Sequence, residues 1–118
     1  MKQVLLVFIG GGFGSAVRYL LSRWLNNTEL HLPYGTFLSN ILGSLIIGLI
    51  LGYAARATSL TETHTLLLAV GFCGGFTTFS AFAFENHAFL KNGDYISFIV
   101  YTLASIIVGL LAVFAGLY

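Results

Sequence analysis

Gly71-Phe72-Cys73-Gly74-Gly75-Phe76-Thr77-Thr78-Phe79-Ser80-Ala81-Phe82 lies within a long apolar run and is poorly composed for a continuous helix. Each glycine costs about 1 kcal/mol against alanine in a helix interior, and the paired threonines are β-branched. The run around this stretch, roughly residues 64–89, exceeds the ~20 helical residues that cross the hydrocarbon core of a bilayer. An interruption at that depth frees backbone N–H and C=O groups that lipid cannot satisfy, so it is tolerated where it lines a cavity or binds an ion. The carbonyl end of a half-helix suits a cation, and the amide end suits an anion. A kink that only aids packing fits the spacing equally well, and the residues alone leave both readings open.

The rest of the chain belongs to the same solvent. Of its 118 residues, 58% are hydrophobic and 8% charged, with a mean hydropathy of +0.93. Soluble domains carry about 25% charged residues to face water. Lipid must therefore cover most of this surface. Apolar runs at roughly 4–24, 34–53, 64–89 and 95–117 predict an all-α integral membrane fold, one domain over 1–118, with four transmembrane helices and the third broken mid-membrane. The connections hold the punctuation: Asn26-Asn27-Thr28-Glu29 with Pro33, then Arg56 to Glu62, then Lys91-Asn92-Gly93-Asp94. A removable signal peptide over Met1–Ala16 competes for the first run. Glycines interrupt that stretch, it continues past Arg18, and it lacks a small-x-small cleavage site. A net charge of +1 offers no basic stripe for nucleic acid. The lone Cys73 excludes an internal disulfide or a cysteine zinc cluster and reads as an inert packed thiol.

The loop charges are evenly divided. With four spans, Lys2 and Arg56 share one side, while Arg23 and Lys91, with Arg18, share the other. Cytoplasmic loops normally hold an excess of Lys and Arg. A chain this balanced can insert both ways, and an antiparallel dimer uses both orientations; a single orientation set by subtler features is the alternative.

Small residues mark the faces where helices meet. Gly10 and Gly14, Gly48 and Gly52, and Gly71 and Gly75 are spaced four apart, which in membranes lets backbones approach closely. Gly11, Gly14 and Arg18 share a face of helix one, as do Thr36, Asn40 and Gly43 on helix two. Ser44 continues the small stripe of helix two, and Ser97, Tyr101, Ser105 and Gly109 repeat the pattern on helix four. Most of this is packing, but a buried amide such as Asn40 needs a partner in lipid. Phe79 and Phe82 stand three apart on one face. Aromatic stripes usually contact lipid, yet ring edges are electropositive and can face a dehydrated anion.

Gly10-Gly11-Gly12-Phe13-Gly14-Ser15-Ala16-Val17-Arg18-Tyr19, Gly35-Thr36-Phe37-Leu38-Ser39-Asn40-Ile41-Leu42-Gly43-Ser44 and the glycine-rich centre of helix three together resemble the Fluc (CrcB) fluoride channel family. The resemblance covers three of the four helices in order. It implies an antiparallel, dual-topology homodimer in the bacterial plasma (inner) membrane, with two fluoride pores along the subunit interface. It implies a structural sodium ion on backbone carbonyls of Gly74 and Thr77 from both subunits. Phe79 and Phe82 match the family's paired pore phenylalanines, Asn40 its pore-side asparagine, and Ser80 part of its hydroxyl track. Tyr101 and Ser105 extend that track from helix four, while Arg18, Thr36 and Glu85 match the pore entrance or vestibule. Ala81 stands where the family commonly has threonine, so one expected hydroxyl is missing. The implied partners are fluoride, a second copy of the chain and membrane lipid, and the implied physiology is passive fluoride export. Fluoride is small and strongly hydrated, so amides and hydroxyls must replace its water, and a fixed cation raises the local potential in low dielectric. Carbonyl oxygens are hard donors that suit sodium.

Glu85 lies within a span, where an acid is functional by default; a solvated carboxylate at the membrane interface is the plainer reading, and position alone leaves both open. His64 and His87 sit at opposite ends of their run and cannot share a metal within one chain, and His31 is in a loop; all three read as solvated. Two other functions fit four short spans. A small dual-topology multidrug/proton antiporter needs a carboxylate in helix one, and this chain has none there. A non-transporting membrane assembly factor accounts for the glycine faces but not for the composition of helix three. No nucleophile–base pair or metal cluster suggests an enzyme.

Overall fold

A backbone in lipid must satisfy its own polar groups, and every regular element among the described residues is helical. The computed structural model describes residues 1–25, 33–56 and 61–118; Asn26 to Glu29, His31 and residues 57–60 lie outside that set. The elements are α1 (Lys2–Leu25), α2 (Tyr34–Arg56), α3 (residues 62–76), α4 (Phe79–Lys91) and α5 (Tyr95–Leu117). With α3 and α4 taken as one stretch, Glu62–Lys91, the described residues hold four helical stretches long and apolar enough to cross a membrane. The long axis of 50 Å compares with about 40–45 Å for a bilayer including its headgroups.

The helix ends are set by local chemistry. α2 runs past the expected Tyr53 to Arg56, whose guanidinium donates to the Leu117 carbonyl at the end of α5. That places a cation on the negative end of a helix. α3 starts before the expected His64 because Thr61 and His64 form a capping box: the Thr61 hydroxyl accepts the His64 N–H at 3.4 Å, and His64 Nδ1 accepts the Thr61 N–H at 3.4 Å. α4 closes on Gly93 at φ 73°, with Asp94 N–H bonded to the Phe89 carbonyl at 2.8 Å. Asp94 then caps α5 by accepting the Ser97 N–H at 3.1 Å.

Two helix pairs pack backbone to backbone. α1 lies against α3 where a Cβ on Gly71 would stand 3.0 Å from the Gly10 Cα and 3.2 Å from the Val7 carbonyl. α2 lies against α5 where a Cβ on Gly116 would stand 2.5 Å from the Leu49 nitrogen and 2.6 Å from the Leu45 carbonyl. No residue but glycine permits such approaches, which gather dispersion contacts where lipid offers no hydrophobic drive. Within α3, Leu66–Cys73 is π-helical, and the Gly74 N–H bonds to the Ala69 carbonyl five residues back. Large apolar side chains such as Phe8, Phe13, Trp24, Ile96 and Leu111 point outward. Such an exterior belongs in lipid.

Candidate functional site

Helical geometry stops at Phe76 and resumes at Phe79; between them Thr77 (φ −86°, ψ 155°) and Thr78 (φ −150°, ψ 119°) are extended. Every backbone group freed there needs a partner away from water. The Thr77 N–H and hydroxyl both return to the Cys73 carbonyl, at 3.0 and 2.9 Å. Asn40 of α2 serves Thr78 on both sides: its Oδ1 accepts the Thr78 N–H at 2.7 Å, and its Nδ2 donates to the Thr78 carbonyl at 3.2 Å. The Thr78 hydroxyl caps α4 by accepting the Ala81 N–H at 3.2 Å, and it lies 3.1 Å from the Ser80 hydroxyl.

From α1, Arg18 Nε donates to the Gly75 carbonyl at 3.1 Å and the Ser15 hydroxyl reaches it at 3.4 Å. Arg18, expected at an aqueous entrance, is thus tied to the last turn of α3. Its cation opposes the negative end of that helix. Ser15 was not singled out from sequence; its place three residues before Arg18, on the same helix face, was the available signal.

The carbonyls of Gly74 and Thr77 have lost their usual helical donors. The amide four residues beyond Gly74 is that of Thr78, bonded to Asn40, and the one beyond Thr77 is that of Ala81, bonded to the Thr78 hydroxyl. Gly74 is also exposed, with open space where a Cβ would be. Oxygens of this kind are hard donors suited to an alkali cation. Among the described residues no three His, Cys, Asp or Glu side chains come together to hold a metal, so backbone oxygen is the donor set on offer.

Beside the interruption lies a cleft of about 580 Å³ between α2, α3, α4 and α5. Asn40, Gly74, Thr77, Phe79, Phe82 and Ser105 all line it. The Phe79 and Phe82 rings are 5.7 Å apart, and Phe79 is 78% exposed. The Ser105 hydroxyl is buried without a partner among the described residues. Ser80 is exposed and does not line the cleft.

Thr36, Glu85 and Tyr101 form a second cluster nearby. The Thr36 hydroxyl donates to Glu85 Oε2 and the Tyr101 hydroxyl to Oε1, each at 2.7 Å. Short bonds of this kind to a carboxylate are about twice as strong as neutral ones. Tyr101 in turn packs on Phe82, with ring centroids 5.1 Å apart, and meets Phe89 edge-on at 6.0 Å. Phe79, Phe82, Tyr101, Glu85 and Thr36 therefore follow one another from the interruption toward the Lys91 end of α4. His64 and His87 are exposed and neither line the cleft nor join the Glu85 hydrogen bonds.

The family described as "CrcB-like protein, Camphor Resistance (CrcB)" matches residues 5–117. A protein of Gloeothece citriformis named "Fluoride-specific ion channel FluC" is 47% identical over 122 residues, covering 100% of this chain and 96% of its own length. Proteins of the same name from Bacteroides fragilis (46% over 122 residues, 100% of this chain and 95% of the relative) and Leptospira interrogans (43% over 118 residues, 99% and 93%) are similar end to end. These names are those of channels, not enzymes. With four stretches able to span a bilayer and a match along nearly its whole length, the chain is a multi-pass membrane protein that belongs to the CrcB-like family.

Proposed function

We propose that this chain is one subunit of a fluoride-selective channel, an antiparallel dual-topology homodimer with two pores that exports cytoplasmic fluoride passively across a bacterial inner membrane. The observation that carries the reading is the cleft: Asn40, Phe79, Phe82 and Ser105 stand together beside an extended Thr77–Thr78. Phe79 is left 78% exposed on its own subunit, as a residue awaiting a second wall would be. The even division of Lys2 and Arg56 against Arg18, Arg23 and Lys91 suits insertion in both orientations. The named relatives support fluoride as the ion.

In this reading the interruption lies mid-membrane. Phe79 and Phe82 turn ring edges to the anion, Asn40 and Ser105 offer donors in place of its water, and Ser80 and Tyr101 flank the path, the Tyr101 O–H being engaged by Glu85. Thr36 and Glu85 belong to the approaches, while Arg18 braces the Gly75 carbonyl beside the interruption. The Gly74 and Thr77 carbonyls of two subunits would hold a structural sodium ion, which supplies fixed positive charge. Without a drug-carrying acid in helix one, the transport is of a small anion down its gradient.

Liposomes loaded with potassium fluoride test the proposal. With valinomycin clamping the voltage, a fluoride electrode should record fast release from the wild-type protein. Chloride-loaded vesicles should release nothing, and Phe79→Ile should slow fluoride. Intact, folded protein that passes no fluoride would overturn it.

A further inference from the structure

We infer that Asn40 is a positioning residue: its amide pairs with the N–H and C=O of Thr78 and thereby sets where Phe79 stands. The inference rests on the fluoride-channel reading for its consequence in transport but not for its geometry. Phe79 is the most exposed large side chain on the cleft, and its ring contact among the described residues is with Phe82, 5.7 Å away. Within its own subunit little packing holds such a ring, so the place it offers to a second subunit follows from the backbone immediately before it.

That backbone is Thr78, extended at φ −150°, ψ 119°. Both of its polar groups are held by one side chain of another helix, at 2.7 and 3.2 Å. The amide has one orientation open to it. Reversed, it would set Nδ2 hydrogens against the Thr78 N–H and Oδ1 against the Thr78 carbonyl. Asn40 is itself on a fixed base, in the second turn of α2 and one turn before the close packing of Gly43 on Phe76 and Thr77. Two bonds from a rigid helix to one residue of an irregular segment fix its peptide planes, as a strand partner would. The lock also leaves the amide one N–H and one lone pair for the cleft. A substitution at Asn40 thus acts first on the backbone and through it on the pore ring.

The test removes the Thr78 N–H while leaving every side chain in place, by a semisynthetic backbone ester at Thr78. The ester also weakens the Thr77 carbonyl as an acceptor. Combination with Asn40→Ala separates the two, because an effect through Thr77 does not depend on Asn40. If Asn40 acts through Thr78, the ester slows fluoride release about tenfold, as losing a buried hydrogen bond does. Asn40→Ala slows it at least as much, and the two changes together are no slower than Asn40→Ala alone. If the ester releases fluoride within about twofold of wild type and the two effects multiply, the inference fails. A second readout does not need transport: ¹⁹F NMR of 4-fluorophenylalanine at position 79 in nanodiscs. The ester and Asn40→Ala should move or split the resonance alike, and an unmoved line in both would overturn the positioning role. Should Asn40→Ala not fold, Asn40→Ser takes its place in the cycle. Wild-type protein that passes no fluoride would sink the channel reading, and the NMR result would still judge the clamp.

Discussion

Gly10→Ala and Gly12→Ala put the same methyl group two residues apart on α1 and should have opposite outcomes. A Cβ at Gly10 meets α3 backbone on all sides: the Leu67 carbonyl, the Phe72 nitrogen at 2.9 Å and the Gly71 Cα at 3.0 Å. Carbon atoms prefer about 3.5–4.0 Å, so the helices must part by more than half an ångström or α3 must bend. None of the three atoms is the end of a side chain that can swing away. Overpacking of this kind costs roughly 1–3 kcal/mol. At Gly12 nothing lies within 4 Å of the added atom. Both variants gain up to about 1 kcal/mol of helix propensity, so that contribution cancels between them and the difference isolates the contact. Gly12→Ala should therefore be at least as stable as wild type, with Gly10→Ala about 1–3 kcal/mol below it. Titration of micelle-solubilised protein with SDS, followed by far-UV circular dichroism, measures both. Equal midpoints would refute the claim that α1 and α3 touch backbone to backbone.

Tyr101→Phe keeps the ring contacts with Phe82 and Phe89 and deletes the donor to Glu85. Losing a buried hydrogen bond costs about 1–3 kcal/mol, so the variant should unfold at lower SDS and release fluoride more slowly; an unchanged rate would separate the Glu85 cluster from transport. At the membrane edge, the Ser97 hydrogen bonds hold the Asp94 carboxyl below the ordinary aspartate range. A depressed folded value means that the α5 cap is fully formed above the unfolded value of about 3.9 and is lost as pH falls through the folded one. Amide exchange at Ser97 should then be insensitive to pH-linked uncapping from pH 8 down to 5, and uncapping at pH 6 would contradict the assignment.

The helices were legible because crossing hydrocarbon imposes a length, and the glycine pairs because close approach demands the smallest residue. Gly10 and Gly71 do meet, as do Gly48 and Gly116, though spacing alone could not say which pair met which. The site was legible residue by residue and not as contacts. Asn40 and Thr78 are 38 residues apart, and Thr36 and Glu85 are 49 apart, so their pairing depends on how the helices are arranged. Arg18 was expected at an aqueous entrance from the family resemblance, and only the packing of α1 on α3 brings it to Gly75. The π-helix had no signature at all. Leu66 to Cys73 is apolar throughout, and a segment with no polar face carries no phase from which its winding could be read.

That winding carries a consequence of its own. An α-turn closes on the fourth residue back and a π-turn on the fifth, so Leu66–Cys73 contains, in effect, a supernumerary residue. Elsewhere in α3 the loss of one residue would rotate everything beyond it by about 100° and carry Gly75 and Thr78 off their partners. Inside the π segment the same loss can be absorbed by rewinding to α. The chain carries slack in register just ahead of the residues that most need theirs kept.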